Sequence, residues 1–224
     1  MSNSIIFATR NQKKVEELNA ILAGSGLNII SMEAAGIYTD VKEDGHSFEE
    51  NAIKKASTIS RLTGATVLAD DSGLEVDYLN GAPGIHSARF GGRDTSYIVK
   101  NKLILDCLKD AEGSERKARF VCVIALCFPN GETEVRRGVM EGYIADRQMG
   151  KNGFGYDPIF FLPEYGQTSA QLPPEVKNQI SHRAQALNEM KEFLLTIYNC
   201  SFTSTRNSLS ELRLVCPVTE LADR

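Results

Sequence analysis

The chain has 224 residues, 42% of them hydrophobic and 24% charged, and a net charge of −4. That composition belongs to a soluble globular protein of one large or two small domains, long enough to bury a sizeable core. It excludes a global basic field for nucleic acid, and no stretch reads as a signal peptide or as the ~20-residue apolar run of a membrane span. The cysteines, Cys107, Cys122, Cys127, Cys200 and Cys216, are odd in number and form no Cys-x-x-Cys pair. Zinc and disulfide frameworks are therefore disfavoured, and reduced thiols in the cytoplasm are expected.

Ile5-Ile6-Phe7-Ala8 reads as a first buried strand. Val15, Leu18, Ile21 and Leu22 then recur at helical spacing. Thr9 to Lys14 is thus a strand-to-helix connection. Helix-start N–H groups with Lys13 and Lys14 beside them suit phosphate, although a polar connection with Thr9 or Asn11 as a plain N-cap is the simpler reading of the segment alone. No Walker loop is present. Leu27 to Ile30 reads as a second strand. Ser47-Phe48-Glu49-Glu50 is a capping box opening a helix that buries Phe48, Ala52, Ile53, Ala56 and Ile59. On it, Asn51 and Lys55 lie one turn apart and can present together, while Lys54 and Lys55 are most simply solvated.

Val67-Leu68-Ala69 reads as a strand broken by Ser72-Gly73, which puts Asp70 and Asp71 at a strand end. The two side chains should point to opposite faces. One carboxylate can then face a site and suit a hard cation such as Mg²⁺; the plain alternative is a solvated Asp-Ser-Gly turn. Gly81-Ala82-Pro83-Gly84 is a tight loop with His86, Arg89 and Arg93 nearby. A helix is expected over 97–108, with Ile98, Leu103, Ile104, Leu105 and Leu108 as its apolar residues. Ala118 to Phe128 is the strongest strand signal, and Pro129-Asn130-Gly131 turns it back onto 132–141 as a hairpin. The sheet should therefore be mixed. In Gly150 to Pro158, three glycines allow close backbone approach, Phe154 and Tyr156 offer faces for a base, and Asp157 can accept from a ring N–H. A glycine-rich turn with its aromatics folded inward is the alternative. Ser181 caps the last helix, and His182 and Arg183 in its first turn oppose the helix dipole, a cost expected more at a functional site than elsewhere.

Six motifs together resemble the inosine triphosphate pyrophosphatases, which act on non-standard purine nucleoside triphosphates. They are Thr9-x-Asn11-x-x-Lys14, Phe48-x-Glu50-Asn51-Ala52, Asp70-Asp71-Ser72-Gly73-Leu74, Gly81-Ala82-Pro83-Gly84-Ile85-x-Ser87-Ala88-Arg89, Phe154-Gly155-Tyr156-Asp157-Pro158 and Ser181-His182-Arg183. They stand in the family's order over residues 4–199. The resemblance implies an α/β fold, an elongated mixed β-sheet flanked by helices with a central nucleotide-binding cleft, and usually a homodimer. It implies Mg²⁺-dependent hydrolysis of ITP, dITP or XTP to the monophosphate and pyrophosphate. It assigns the triphosphate to Thr9, Arg10, Asn11, Gln12, Lys13 and Lys14, the general base to Asp71, and the metal to Asp71 and Glu43. Ser72 would contact substrate, Phe154 would stack on the base, and Gly155, Tyr156, Asp157, Lys177, His182 and Arg183 would line the base and sugar pocket. Residues 1–199 would then be the pyrophosphatase domain and 200–224 an atypical tail. Two other classes compete: a nucleotide-binding module without turnover, against which Asp71 and Glu50 weigh, and a nucleic-acid-binding domain, against which the charge weighs.

Overall fold

The computed structural model describes residues 4–204, with side chains over 4–197. The tail beyond Ser204 lies outside the described residues. One seven-stranded sheet organises the chain, in the order β2-β1-β3-β4-β5-β6-β7. β1 (Ser4–Phe7) runs parallel to β2 (Asn28–Ser31) and to β3 (Val67–Val76). β4 (Lys117–Cys127), β5 (Thr133–Ile144), β6 (Phe160–Leu162) and β7 (Gln167–Thr168) continue antiparallel. The sheet is mixed, as the early strand–helix alternation and the later hairpin require. At that hairpin Gly131 takes φ +90°, a backbone conformation open to glycine.

The helices are α1 (Gln12–Ile21), α2 (Phe48–Thr63), α3 (Tyr97–Cys107), α4 (Pro174–Ile180) and α5 (His182–Ser204). A compact unit runs through Lys191 and contains the sheet and the start of α5. The α5 backbone continues past Asn199, where a turn-rich tail was expected to begin. Ser47 caps α2, its Oγ accepting from Glu50 N at 3.0 Å. The expected box closes differently: Glu50 Oε2 accepts from His46 N at 2.7 Å, one residue further back.

Two apolar clusters form the core. One packs α2, through Phe48, Ala52, Ala56 and Ile59, on Val67, Ala69, Val121 and Val123. Truncating a fully buried residue such as Ile59 to Ala costs about 2–5 kcal/mol in sites of this kind. The second gathers Leu74, Val76, Ile104, Leu108, Phe120 and Phe160. β3 belongs to both, and Asp70, Asp71 and Ser72 fall between them.

Two expectations are corrected. β3 does not stop at Ser72-Gly73: its ladder with β4 runs from Val67↔Cys127 to Val76↔Ala118 without a gap. Gly73 is there for room rather than for a turn. A Cβ on it would lie 2.3 Å from Gly84 O and 2.5 Å from Ser87 Oγ. That Ser87 hydroxyl accepts from Leu74 N at 2.9 Å, tying the 84–89 turn onto the strand. The two carboxylates are therefore mid-strand, where a paired backbone fixes their directions. α3 is also turned from its expected orientation, with Lys100 and Asn101 buried and Ile98 and Leu103 exposed.

Candidate functional site

A cleft of about 300 Å³ opens where the two core clusters meet, lined from β1, α1, α2, β3, the 153–157 loop and the α5 start. At one end, Thr9 Oγ1 accepts from Asn11 N at 3.2 Å, and Asn11 Oδ1 accepts from Lys13 N at 3.0 Å as the N-cap of α1. The plain capping role is thus real, and it also aims the helix start at the cleft. Thr9, Arg10, Asn11 and Lys14 line the cleft. Gln12 and Lys13 do not; both are exposed, and Lys13 pairs with Glu16 at 3.0 Å. At about 100° per residue, Lys14 and Glu17 share the inward face that Lys13 leaves.

Behind the lining residues Lys14, Ser72 and Arg183 lies Asp70, with no exposed surface. Its Oδ2 meets Lys14 Nζ at 2.7 Å and Arg183 Nη2 at 3.3 Å, and accepts from Ser72 Oγ at 2.9 Å. Burial alone would raise this carboxyl's pKa; Lys14, Arg183 and Lys55 overturn that and hold it well below the usual range. Asp71 faces the other way. Its Oδ2 accepts from Asn51 Nδ2 at 3.1 Å and its Oδ1 from Ser72 N at 3.1 Å. Burial pushes it up to about 6; Lys55 pulls down and Glu43 pushes up again. Glu43 Oε1 pairs with Lys55 Nζ at 2.6 Å, and that ammonium also donates to Asp70 O. Lys55 is therefore not solvated as expected: its side chain is 12% exposed and serves the site.

This side holds two carboxylates against one ammonium. Among the described residues no cluster of three or more His, Cys, Asp or Glu is poised around a metal, so a closed protein cage is absent. Mg²⁺ is commonly held by one or two carboxylates together with waters and substrate phosphates. Asp71 and Glu43, with their uncompensated charge, fit that pattern.

The opposite end is built on Phe154. Its ring lies 5.1 Å from Lys177 Nζ and 5.6 Å from Arg183 Cζ, within cation–π range. Its N–H donates to Asp157 Oδ2 at 2.8 Å. Asp157 is buried and also holds Lys177 at 2.5 Å and Ser169 Oγ at 2.9 Å. Lys177 reaches Glu17 at 3.0 Å, and Arg183 pairs with the same carboxylate. Against Glu17's burial, Arg183 and Lys177 keep it ionised. Lys14, Lys177 and Arg183 are thus matched by Glu17, Asp70 and Asp157. Tyr156 is 3% exposed and its hydroxyl donates to Ser87 O at 2.9 Å, so its ring lines the cleft while its polar end holds the fold.

Ser181 caps α5, its Oγ accepting from Ala184 N at 3.2 Å. His182 stacks on Phe120, ring centroids 4.8 Å apart, and its buried Nδ1 has no partner. Burial, with Arg183 and Lys177 nearby, takes its pKa well below 6.5. The dipole cost expected at this helix start is therefore met by a neutral imidazole and by the two carboxylates on Arg183. Unpartnered buried atoms gather here: Asp70 Oδ1, His182 Nδ1 and Arg183 Nε. Buried polar groups normally find partners, so their presence around one cleft suits a ligand. Sequence reading missed Glu17, whose position three residues after Lys14 was the available signal. It also gave no site role to Asp70, Lys55 or Asn51.

The Ham1 family model matches residues 5–193. The chain is 45% identical over 190 residues to a dITP/XTP pyrophosphatase of Bacillus licheniformis, covering 85% of this chain and 97% of that one. It is 47% identical over 195 residues to one of Clostridium perfringens, covering 84% and 96%. Among solved structures, a HAM1 protein from Coxiella burnetii superposes with a TM-score of 0.79 at 40% identity, over 86% of this chain and 98% of that one.

Proposed function

The chain belongs to the Ham1 family, and from that premise we propose that it hydrolyses non-standard purine nucleoside triphosphates (ITP, dITP, XTP) to the monophosphate and pyrophosphate. The observation that carries this reading is the neighbouring pair on β3. Asp70 is neutralised by two cations, while Asp71, with its pKa pushed up to about 6, opens on the same cleft without an ion pair among the described residues. A carboxylate poised near neutrality is suited to taking a proton from water.

In this reading Asp71 accepts the proton of a water whose oxygen bonds to the α-phosphorus, and the bond from that phosphorus to the bridging oxygen breaks to release pyrophosphate. Lys14 exchanges Asp70 for the phosphates, and Thr9, Arg10 and Asn11 with the α1 start complete the cradle. Lys13 and Gln12, part of the expected cradle, take a peripheral place. Asp71 and Glu43 would hold Mg²⁺, which neutralises charge on the triphosphate and the leaving pyrophosphate. Phe154 stacks on the base. Arg183 and His182 offer donors to a purine 6-oxygen, and adenine's amino group would leave them unpaired, a strong basis for rejection. Lys177, Asp157 and Tyr156 shape the pocket, and Ser72 supports Arg183 through a 2.9 Å hydrogen bond. The same reading takes residues 1–199 as the catalytic domain, a homodimer as the active form and the cytoplasm as its place. Free thiols at Cys107, Cys122 and Cys127 suit a reducing compartment.

The test is incubation with Mg²⁺ and ITP, XTP, GTP or ATP, assaying pyrophosphate and orthophosphate. Pyrophosphate from ITP and XTP, with little from GTP or ATP, is expected. Orthophosphate would mean cleavage at the γ-phosphate and a reversed substrate.

A further inference from the structure

Burying an ammonium and an amide on a helix is costly unless partners compensate, and α3 buries both. Lys100 and Asn101 are 1% and 2% exposed, against 73% for Ile98. Their partners are backbone carbonyls of the cleft walls. Lys100 Nζ donates to Ala88 O. Asn101 Nδ2 donates to Gly155 O at 3.3 Å and to Gln148 Oε1 at 3.3 Å. Gln148 Nε2 donates in turn to Ile98 O at 3.2 Å, back on α3. Asn101 Oδ1 is buried without a partner. An amide with half its capacity unmet is a poor choice for packing alone.

The loop it holds is rich in glycine. Gly150, Gly153 and Gly155 take φ of +86°, +71° and +70°, and glycine resists no conformation. Lys151 N and Asn152 N donate to Ala170 O at 3.0 and 2.9 Å and fix the start of the loop, and Asp157 holds Phe154 N. Asn101 is the side chain that holds the Gly155 carbonyl, and Tyr97 stands edge-on to Tyr156 at 5.4 Å beside it.

We propose that Asn101, braced by Gln148, is a positioning residue for the purine site: it holds the Gly155 carbonyl and so sets the Phe154 ring at the spacing a flat base needs. The proposal rests on the reading of Phe154 as the base platform. It acts at the base end alone, so phosphate recognition should not feel it.

Steady-state kinetics on ITP with the full chain and Mg²⁺ test it, with inorganic pyrophosphate as a competitive probe of the phosphate end. Asn101→Ala is expected to raise KM about tenfold, the scale of one lost hydrogen bond. Its kcat should stay within about twofold, and pyrophosphate inhibition should not change. Gln148→Ala removes an exposed side chain and leaves the core intact; it should raise KM about threefold in the same pattern. An unchanged KM in both variants overturns the proposal, as does a parallel loss of kcat and pyrophosphate binding. If the wild-type protein releases no pyrophosphate from ITP, the function reading itself falls. Normal wild-type turnover with indifferent variants sinks only the role of Asn101.

Discussion

On one face of β3, Asp70 meets Lys14, Arg183 and Ser72; on the other, Asp71 meets Asn51 and the Ser72 amide. The two residues share a peptide bond and similar burial, yet one carboxyl is driven far down in pKa and the other is raised to about 6. Burial penalises both charges; Lys14, Arg183 and Lys55 outweigh it at Asp70, while at Asp71 Glu43 opposes Lys55 and Lys14 and burial prevails. The Asp70 side is a balanced network of three cations and three carboxylates that positions groups. The Asp71 side is left one cation short, which suits chemistry and an incoming metal.

The largest expected effect tests that asymmetry directly. Asp71→Asn should lower kcat on ITP by about 10²–10⁴-fold, the usual worth of a general base, while calorimetry still detects nucleotide binding. Near-normal turnover would remove Asp71 as the base. Next, the neighbouring substitution should act on stability rather than chemistry alone. Asp70→Asn strands Lys14, leaves Arg183 with Glu17 alone and should cost about 3–5 kcal/mol, read from the urea midpoint. Asp71→Asn should stabilise the metal-free protein at pH 8, by at most about 3 kcal/mol, because a shift from 3.8 to about 6 is a folding penalty of about 1.4 kcal/mol per unit. Equal signs for the two variants would break the comparison.

A smaller effect is expected at the base end. Phe154→Ala should weaken ITP by about 1–3 kcal/mol of stacking, read as a KM rise, with pyrophosphate inhibition unchanged. The smallest effect is in the pH profile of stability. A native carboxyl raised from 3.8 to about 6 retains a proton that the unfolded chain loses, so its contribution is full at low pH and is lost as pH rises through 6. His182 runs the other way, since the unfolded imidazole binds a proton below 6.5 that the native ring refuses. The two oppose each other in the wild type. In Asp71→Asn only His182 remains, and the urea midpoint should climb more steeply between pH 4.5 and 7 than in the wild type. Parallel profiles would mean that Asp71 is not raised.

Much of this was legible along the chain. Asn11, Ser47 and Ser181 announced their helices because capping is local chemistry, and Pro129-Asn130-Gly131 announced its hairpin for the same reason. The residue types at the cleft, Lys14, Asp71, Phe154 and Arg183, were visible as motifs. Lys55 was misread because a lysine on a capped amphipathic helix looks solvated until the strand beside it is known. Ser72-Gly73 was misread as a break because glycine in a strand and glycine in a turn look alike in one dimension. α3 was misread because its buried face carries Lys100 and Asn101, whose partners are carbonyls that no side-chain pattern encodes.

The sequence by itself determined the order of the main strands and helices, the caps, the hairpin turn and several of the groups at the site, since these depend on periodicity and on neighbours within a few residues. Only the tertiary structure decided how the charges pair. Arg183 finds Glu17 across 166 positions and Asp70 across 113, while Asp71, next to Asp70, has no ion pair among the described residues. Coulomb attraction and desolvation act on distance in space, and two adjacent aspartates become different acids only when the fold pairs one with Lys14 and Arg183 and sets the other beside Glu43.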